Sequence, residues 1–239
     1  HQQEYAKPGD ERIQRIPCIF EVATARCTCA DESAICHQYD LRNMAWNADG
    51  KAITFEYNQR GHQRFDVLEM DAETGRMRTL VSETSTTFVN YNRYFRHTLS
   101  DGERMIWMSE RDGWNHLYMI DLRRGRVEKQ LTKGPWVVRR VEHVDEENGF
   151  IYFSASGMQP DEDPYLLHYY RIDMDGKHLL CLTPEMGNHQ VQFSPDYAYL
   201  VDTWSTQELP PTTVVRSTRD PQNKQQLAQA DNSRLNAEG

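Results

Sequence analysis

Residues 95–133, FRHTLSDGERMIWMSERDGWNHLYMIDLRRGRVEKQLTK, decide the fold of this chain because they hold four strand patterns separated by three turns. The strand patterns cover residues 95–99, 104–109, 116–122 and 126–132. The turns contain Asp101-Gly102, Asp112-Gly113 and Arg124-Gly125, and glycine supplies the positive φ that tight hairpins require. The stretch therefore predicts four short antiparallel strands joined by hairpins.

The same pattern recurs along the chain with a period near 50 residues. A turn residue recurs at steps of 52, 47 and 48 residues: Asp49, Asp101, Asn148 and Asp196. A strand-ending leucine recurs at a constant step of 51 residues: Leu80, Leu131 and Leu182. Four antiparallel strands in a repeat of this length are typical of a β-propeller blade. An all-β sandwich is the alternative, but it gives no reason for equally spaced leucines.

We therefore predict an all-β chain built from β-propeller blades of four antiparallel strands. About four blades are expected, taken from a larger ring rather than closed on themselves, with an opening strand pair at residues 15–29. A partial blade is expected at residues 1–40, followed by blades at residues 41–90, 91–140, 141–190 and 191–230. The propeller segment is expected to cover residues 1–220, and residues 221–239 are expected to begin a linker.

Composition excludes several classes of protein. The chain has 239 residues, and its aromatic content of 10% argues against disorder. No apolar run approaches the roughly 20 residues that span a bilayer, so no membrane span is expected. A net charge of −9 argues against nucleic-acid partners. The first residue is His1 and the last is Gly239, and both ends are interpreted as the edges of a fragment.

The cysteines leave several alternatives open. Four of the five lie close together in the sequence: Cys18, Cys27, Cys29 and Cys36. Their spacing matches neither a zinc knuckle nor a zinc ribbon, so no metal site is predicted. One disulfide is compatible with an exported protein, with its pairing open, and free thiols are the other possibility.

Several motifs resemble the propeller domain of the dipeptidyl peptidase IV family. The main ones are SERDGWNHLY at residues 109–118 and QLTKGPWVV at residues 130–138. Later parts of the same domain are similar to GFIYFSA at 149–155, DGK at 175–177, LTPE at 182–185, FSPD at 193–196, VDT at 201–203 and LPPT at 209–212. YAKPGD at residues 5–10 is similar to an earlier segment. The likeness runs in order over residues 5–220.

The resemblance implies the later half of an eight-bladed propeller. In this family the propeller covers an α/β-hydrolase domain, and the two form a serine exopeptidase that releases N-terminal X-Pro or X-Ala dipeptides. The family's catalytic Ser, Asp and His belong to the hydrolase domain, and Gly-x-Ser-x-Gly does not occur in this sequence. We therefore expect no catalytic residue and no cofactor in the chain, a role in substrate access and positioning, and a linker at residues 221–239 toward the absent hydrolase domain.

The resemblance also implies one candidate site. In the family, an aromatic-then-polar stretch before the blade that begins near Phe95 lines the substrate cavity. Tyr91 is expected to offer an aromatic face, and Asn92 or Arg93 a hydrogen bond, to a bound peptide. Ordinary residues at the entry to a blade are the alternative interpretation.

His116 is interpreted as structural. All five tryptophans are expected to fill layers between blades: Trp46, Trp107, Trp114, Trp136 and Trp204.

Two other functions stay open. The chain is alternatively a free-standing propeller that serves as a protein-interaction platform, or the propeller of a related prolyl oligopeptidase-type or acylaminoacyl peptidase. The expected partners are a peptide substrate, bound through the full-length enzyme, and the absent hydrolase domain. Members of the family commonly form homodimers. Similarity to bacterial members implies a periplasmic or cell-envelope location.

Overall fold

The structure is a computed structural model that describes residues 13–233. These residues form a two-stranded ribbon, four four-stranded sheets and a 3-10 helix at Glu32–Ile35. The ribbon consists of β1 (Cys18–Glu21) and β2 (Arg26–Cys29). Blade 1 consists of β3 (Gln38–Trp46), β4 (Ala52–Gln59), β5 (Arg64–Asp71) and β6 (Met77–Thr84). Blade 2 consists of β7 (Arg96–Thr98), β8 (Arg104–Ser109), β9 (His116–Asp121) and β10 (Arg126–Gln130).

Blade 3 consists of β11 (Val137–Asp145), β12 (Phe150–Ser156), β13 (Leu167–Asp173) and β14 (Leu180–Cys181). Blade 4 consists of β15 (Asn188–Phe193), β16 (Tyr199–Ser205), β17 (Thr212–Ser217) and β18 (Lys224–Gln229). In each blade the strands lie side by side in chain order. The predicted fold class, all-β with blades of four antiparallel strands, is confirmed. Among residues 13–233 no helix combines the length and the apolar character that a membrane crossing demands.

The middle strands of blades 1, 2 and 3 are buried on both faces. In β12 every residue from Ile151 to Ser156 is buried, and in β8 the same holds from Met105 to Ser109. The last strands of blades 2 and 4 are different, since β10 is exposed at four of its five residues and β18 at every residue. A sheet that is apolar on both faces in its middle and polar at its outer edge is suited to packing between neighbouring sheets.

The chain divides into two compact units. The first contains the described residues up to Tyr94 together with Asp101–Arg104 and Ile120–Arg126, and its core lies around Phe55, Tyr57 and Met70. The second contains Phe95–Ser100, Met105–Met119 and the described residues from Val127 onward. Its largest apolar cluster joins residues of blades 2 and 3, including Ile106, Leu117, Trp136, Ile151 and Phe153.

The recurring leucines and turns lie where a repeat places them. Leu80, Leu131 and Leu182 are all buried after or within the last part of a blade. The turns between the first two strands of blades 1, 2 and 3 have a glycine with positive φ: Gly50, Gly102 and Gly149. In blade 4 the same position holds Tyr197, whose φ is 53°.

A second set of glycines allows the close approach of backbone from a neighbouring element. A Cβ atom on Gly125, in the β9–β10 turn, would lie 2.5 Å from the carbonyl oxygen of Thr79 in β6. A Cβ atom on Gly176, in the β13–β14 turn, would lie 3.0 Å from the carbonyl oxygen of Leu131, just after β10. Both glycines have positive φ as well, so sterics and backbone conformation each favour glycine here.

Some boundaries differ from the sequence-based expectations. β18 extends to Gln229, which lies within the blade expected at residues 191–230 but beyond residue 220, the expected end of the propeller segment. It pairs with β17 with Thr212 opposite Gln229, although its sequence, KQQLAQ, contains little of the apolar alternation that indicates a strand. β3 begins at Gln38, inside the residues assigned to the partial blade. Residues 5–10, which carry part of the family resemblance, and residues 234–239 of the expected linker lie outside the described residues.

The expectation for the tryptophans is wrong for two of the five. Trp107 and Trp136 are buried, as expected for side chains that fill layers. Trp46 is 57% exposed and Trp114 is 43% exposed. Trp46 lies at the end of β3, and Trp114 lies in the β8–β9 turn, so recurrence near a strand end did not imply burial.

Candidate functional site

Four aromatic side chains from separate segments meet at one end of blade 1. Tyr39 lies at the start of β3 and His62 in the β4–β5 turn, while Phe88 and Tyr91 follow the end of β6. The antiparallel register brings these segments together, because Gln38 lies opposite Gln59 and Arg64 lies opposite Thr84. We call these four residues the aromatic platform.

The rings of the aromatic platform form one continuous set of contacts. The rings of His62 and Tyr91 stack, with centroids 4.8 Å apart and an interplanar angle of 24°. Tyr39 meets the His62 ring edge-on at 4.4 Å, and Phe88 does so at 5.5 Å from another side. Tyr39 and Phe88 are each about half exposed, at 52% and 51%. The platform therefore presents aromatic surface to solvent rather than enclosing it in a core.

Arg42 and the buried carboxylate of Glu56 hold the segment that carries Tyr91 against blade 1. Arg42 Nε donates to Glu56 Oε2 at 3.0 Å, and Glu56 is 4% exposed. Asn43 Nδ2 donates to the same carboxylate oxygen at 2.8 Å. The Arg42 guanidinium also donates to the backbone oxygen of Tyr91 and lies 5.2 Å from the centroid of the Tyr91 ring. Arg42 thus connects the body of blade 1 to the segment that carries Tyr91.

Backbone hydrogen bonds hold that segment against the β4–β5 turn. The Val89 N–H donates to the His62 carbonyl at 2.7 Å, and the Val89 side chain is buried. The Tyr91 N–H donates to the Val89 carbonyl at 2.8 Å, and the Arg93 N–H donates to the Asn90 carbonyl at 3.2 Å. The segment turns tightly at this point, with Tyr91 directed onto the His62 ring.

The three residues predicted for this site do not share one environment. Tyr91 is half-buried in the platform, whereas Asn92 and Arg93 are exposed. Within residues 13–233, the side chains of Asn92 and Arg93 make no hydrogen bond or ion pair with other residues. The structure therefore brings Tyr91 together with three aromatic side chains that the sequence analysis did not single out, and leaves Asn92 and Arg93 on the surface beside it.

The two phenols of the platform interact electrostatically. The pKa of Tyr39 is raised above its ordinary value of 10.0. The main cause is a hydrogen bond with the Tyr91 side chain, and the second is the charge interaction between the two phenols. The Tyr39 hydroxyl therefore stays neutral at physiological pH and serves as a hydrogen-bonding group.

Three buried histidines of the second unit are held by structural hydrogen bonds. His116 contacts the Thr132 hydroxyl at 3.0 Å and the Gly134 carbonyl at 3.0 Å. His168 contacts the Thr183 carbonyl at 2.7 Å and Glu162 at 2.9 Å. Each histidine has one ring nitrogen on a backbone carbonyl and the other on a side-chain oxygen, so neither nitrogen is free to act as a general base.

His189 belongs to a buried ionic cluster in blade 4. Its Nδ1 lies 2.8 Å from Asp202 Oδ1 and its Nε2 lies 2.7 Å from the Glu185 carbonyl. Arg216 Nη2 donates to Asp202 at 2.8 Å and to Glu185 at 2.6 Å, and Lys224 also pairs with Glu185. Burial opposes ionisation of Glu185, but the hydrogen bonds from Arg216 and Lys224 outweigh it and lower the pKa of this carboxyl. The His189–Asp202 pair therefore belongs to a structural network.

The chemistry that the platform supports is noncovalent recognition. Exposed aromatic faces take up apolar or ring-containing side chains, and the exposed guanidinium of Arg93 is suited to a carbonyl or carboxylate oxygen. Among the four platform residues, only His62 has ring nitrogens, and its Nδ1 is hydrogen-bonded to Asn58 Oδ1 at 3.1 Å. These groups are suited to noncovalent contacts with a ligand.

Blades of four antiparallel strands define the class of this protein, a β-propeller protein. The family model for the dipeptidyl peptidase IV (DPP IV) N-terminal region matches residues 1–211. The chain therefore belongs to the dipeptidyl peptidase IV N-terminal region family, and the resemblance read from the sequence is confirmed.

Curated relatives carry names of the same kind. The chain is 24% identical over 189 residues to a probable dipeptidyl-aminopeptidase B of Aspergillus oryzae, an alignment that covers 74% of this chain and 20% of that protein. It is 32% identical over 107 residues to a probable dipeptidyl-aminopeptidase B of Tuber melanosporum, covering 44% of this chain and 11% of that protein. The chain thus spans about a fifth or less of the length of these relatives.

Solved structures show the same fold. Dipeptidyl peptidase 4 of Porphyromonas gingivalis matches 92% of this chain with a TM-score of 0.64 and 19% sequence identity. A putative dipeptidyl aminopeptidase IV of Bacteroides ovatus matches 89% of this chain with a TM-score of 0.62 and 22% identity. The alignments cover 30% and 32% of those chains.

Tyr39, His62 and Phe88 were not predicted from the sequence because they lie up to 52 residues from Tyr91 along the chain. One signal was present in the strand pattern. In an antiparallel sheet of four strands, the start of the first strand, the second turn and the end of the last strand share one end. Aromatic residues at those three places in one repeat indicate a shared surface.

Proposed function

We propose that this chain is the non-catalytic propeller segment of a dipeptidyl peptidase IV-like serine exopeptidase that releases N-terminal X-Pro or X-Ala dipeptides. The family match over residues 1–211, together with four propeller blades, is the observation that carries this proposal. In the full-length enzyme, acyl transfer through a seryl intermediate is the work of a hydrolase domain outside this chain.

The role of this chain is to restrict access and to position the peptide. The aromatic platform supplies a face for a side chain near the N-terminus of the substrate, with the Tyr91 ring as its centre. Arg93 and Asn92, exposed beside it, supply hydrogen bonds to peptide carbonyl oxygens. Positioning of this kind contributes to catalysis by holding the reacting peptide in one orientation.

The test uses the full-length enzyme and chromogenic Gly-Pro and Ala-Pro substrates, free and N-acylated. The free forms are expected to be cleaved and the N-acylated forms are not. Cleavage of the N-acylated forms alone would instead identify an acylaminoacyl peptidase. A reading frame that stops near Gly239 and yields no turnover would favour the interaction platform. Serine-directed phosphonates are expected to label the full-length protein outside residues 1–239.

Substitution of Tyr91 tests the positioning role. Tyr91→Ala is expected to lower kcat/KM about tenfold, mainly through KM, because it removes binding contacts and leaves the reacting groups in place. Tyr91→Phe keeps the ring and is expected to retain most of the activity. The matched control is Tyr165→Ala, since Tyr165 is 85% exposed and lies outside the platform. Equal effects of Tyr91→Ala and Tyr165→Ala would remove the platform from the mechanism.

We also propose a periplasmic or cell-envelope location, which the disulfide between Cys18 and Cys29 supports. Disulfides persist in oxidising compartments and are rare in the cytosol of mesophiles. Cell fractionation of the native host tests this, with the protein expected in the periplasmic or envelope fraction and not in the cytosolic one.

A further inference from the structure

Three sulfur atoms lie on one face of the ribbon. Cys18 and Cys29 are directly opposite each other across β1 and β2, and they form a disulfide. Cys27 lies two residues before Cys29 on the same strand, so its side chain points to the same face. Cys27 is a free thiol, whereas the sequence left every pairing open.

The free thiol is close enough to react with the disulfide. Cys27 Sγ lies 3.8 Å from Cys29 Sγ, and all three sulfur atoms lie within 4.8 Å of one another. All three residues are exposed, so solvent reaches the thiol and both disulfide sulfurs. Exposure and proximity are two of the structural conditions for exchange between a thiol and a disulfide; the third is an attack in line with the Cys18–Cys29 bond, which requires rotation of the Cys27 side chain.

We propose that Cys27 is an exchange thiol that moves the disulfide of the ribbon. Cys27 loses its proton to solvent, and the thiolate attacks Cys29 Sγ. The Cys27–Cys29 bond forms while the Cys18–Cys29 bond breaks, and the electron pair stays on Cys18 Sγ, which takes up a proton. The step is neutral in redox terms, since one disulfide and one thiol are present before and after it.

The exchange removes the covalent link between β1 and β2. β2 is fixed to blade 1, because the Cys29 carbonyl lies against Gly75, where a Cβ atom would come within 2.8 Å of it. In the observed pairing, the disulfide ties β1 covalently to this fixed strand. After exchange both bonded sulfurs belong to β2, so the covalent tie to β1 is lost and the free thiol moves to Cys18. The ribbon is thus a modification site: a thiol reagent labels Cys27 in the observed pairing and Cys18 after the exchange.

Peptide mapping distinguishes the two pairings. Trypsin cuts after Arg15, Arg26 and Arg42, so Cys18 is alone in peptide 16–26, and the other three cysteines of this region are in peptide 27–42. The purified full chain is incubated at about pH 8, blocked with N-ethylmaleimide and digested without reduction. The observed pairing keeps the two peptides joined. Exchange separates them and places the maleimide on Cys18.

A separate peptide 16–26 with maleimide on Cys18 is expected, in a fraction that does not change when the protein is diluted tenfold before incubation. Cys27→Ser is expected to abolish it. Cys36→Ser is the matched control and is expected to retain it, since Cys36 is also a free, exposed cysteine but lies outside the group of three sulfurs. Joined peptides alone in the wild type, or a fraction that rises with protein concentration or persists in Cys27→Ser, would overturn the proposal.

Discussion

Tyr197 shows how a single side chain offsets an unfavourable backbone conformation. A non-glycine residue in the left-handed region costs roughly 1–2 kcal/mol. The Tyr197 ring stacks on His143 with centroids 4.0 Å apart and an interplanar angle of 14°, and it also contacts Phe193 at 4.9 Å. Aromatic pairs of this kind contribute about 0.5–1.5 kcal/mol each beyond the area that they bury. Blade 4 thus replaces the turn glycine of the other blades with packing.

Arg216 is the residue on which the ionic cluster of blade 4 depends. Its side chain is 1% exposed, and Asp202 is fully buried beside it. Arg216→Met is expected to destabilise the protein by about 3 kcal/mol, because it leaves buried carboxylate charge without its main counter-ion. Urea unfolding followed by circular dichroism measures the loss.

The control for that experiment is Arg219→Met, which removes an exposed arginine three residues further along the chain. Its effect is expected to stay within about 0.5 kcal/mol. Equal losses for Arg216→Met and Arg219→Met would show that the cluster contributes nothing specific.

At the scale of elements, two separate physical effects favour glycine at position 125, in the β9–β10 turn. Gly125→Ala is expected to cost about 3 kcal/mol, from the positive φ and from the clash with the Thr79 carbonyl. Gly102→Ala is the matched control, because Gly102 also has positive φ but has open space around it, and its expected cost is about 1 kcal/mol. Thermal melts of both variants measure the difference. Equal costs would leave backbone conformation as the single cause.

Turn aspartates make the hairpins sensitive to acid. The hydroxyl and the backbone N–H of Thr74 lower the pKa of Asp71 below its ordinary value of 3.8. A carboxyl with a lowered pKa in the folded state stabilises that state above its ordinary pKa, and the contribution disappears as the pH falls through the lowered value. Asp71→Asn is therefore expected to lower the urea midpoint at pH 7, and the difference from wild type is expected to shrink below about pH 4.

Asp161→Asn is the control for this prediction, because Asp161 is exposed and makes no hydrogen bond among the described residues. Its urea midpoint is expected to follow that of the wild type at both pH values. A difference between Asp71→Asn and wild type that stays constant from pH 7 to about pH 3 would contradict the assigned role of the turn carboxylate.

At the scale of the molecule, the acidic charge predicts how the chain meets polyanions. With a net charge of −9, the protein is expected to pass through a heparin column at about 0.1 M salt and to bind an anion exchanger at pH 7. Lysozyme, a basic protein, is the positive control for the heparin column. Retention of this chain on heparin at that salt concentration would show a basic surface that net charge does not reveal.

The repeat made the fold predictable, while the site depends on contacts that a linear pattern does not contain. Leu131 and its equivalents recur because each blade buries the same position, and a constant spacing exposes that. Tyr91 was found through family resemblance, but its contact with His62 depends on strand register. The pairing of Cys18 with Cys29, rather than with Cys27, likewise depends on which residues lie opposite across the ribbon. β18 lies within the fourth blade expected at residues 191–230, but its bounds were not marked in the sequence because an exposed edge strand needs no apolar alternation.

The two ends of a blade make different contacts. In blade 1 the aromatic platform lies at the end where β3 starts, whereas Gly75, which contacts the ribbon, lies in the β5–β6 turn at the opposite end. Gly125 and Gly176 occupy that same opposite end in blades 2 and 3. Substitutions in the aromatic platform are therefore expected to leave the backbone contacts at the opposite end of the blade unchanged. A related chain can thus differ in its platform side chains and still pack its blades in the same way.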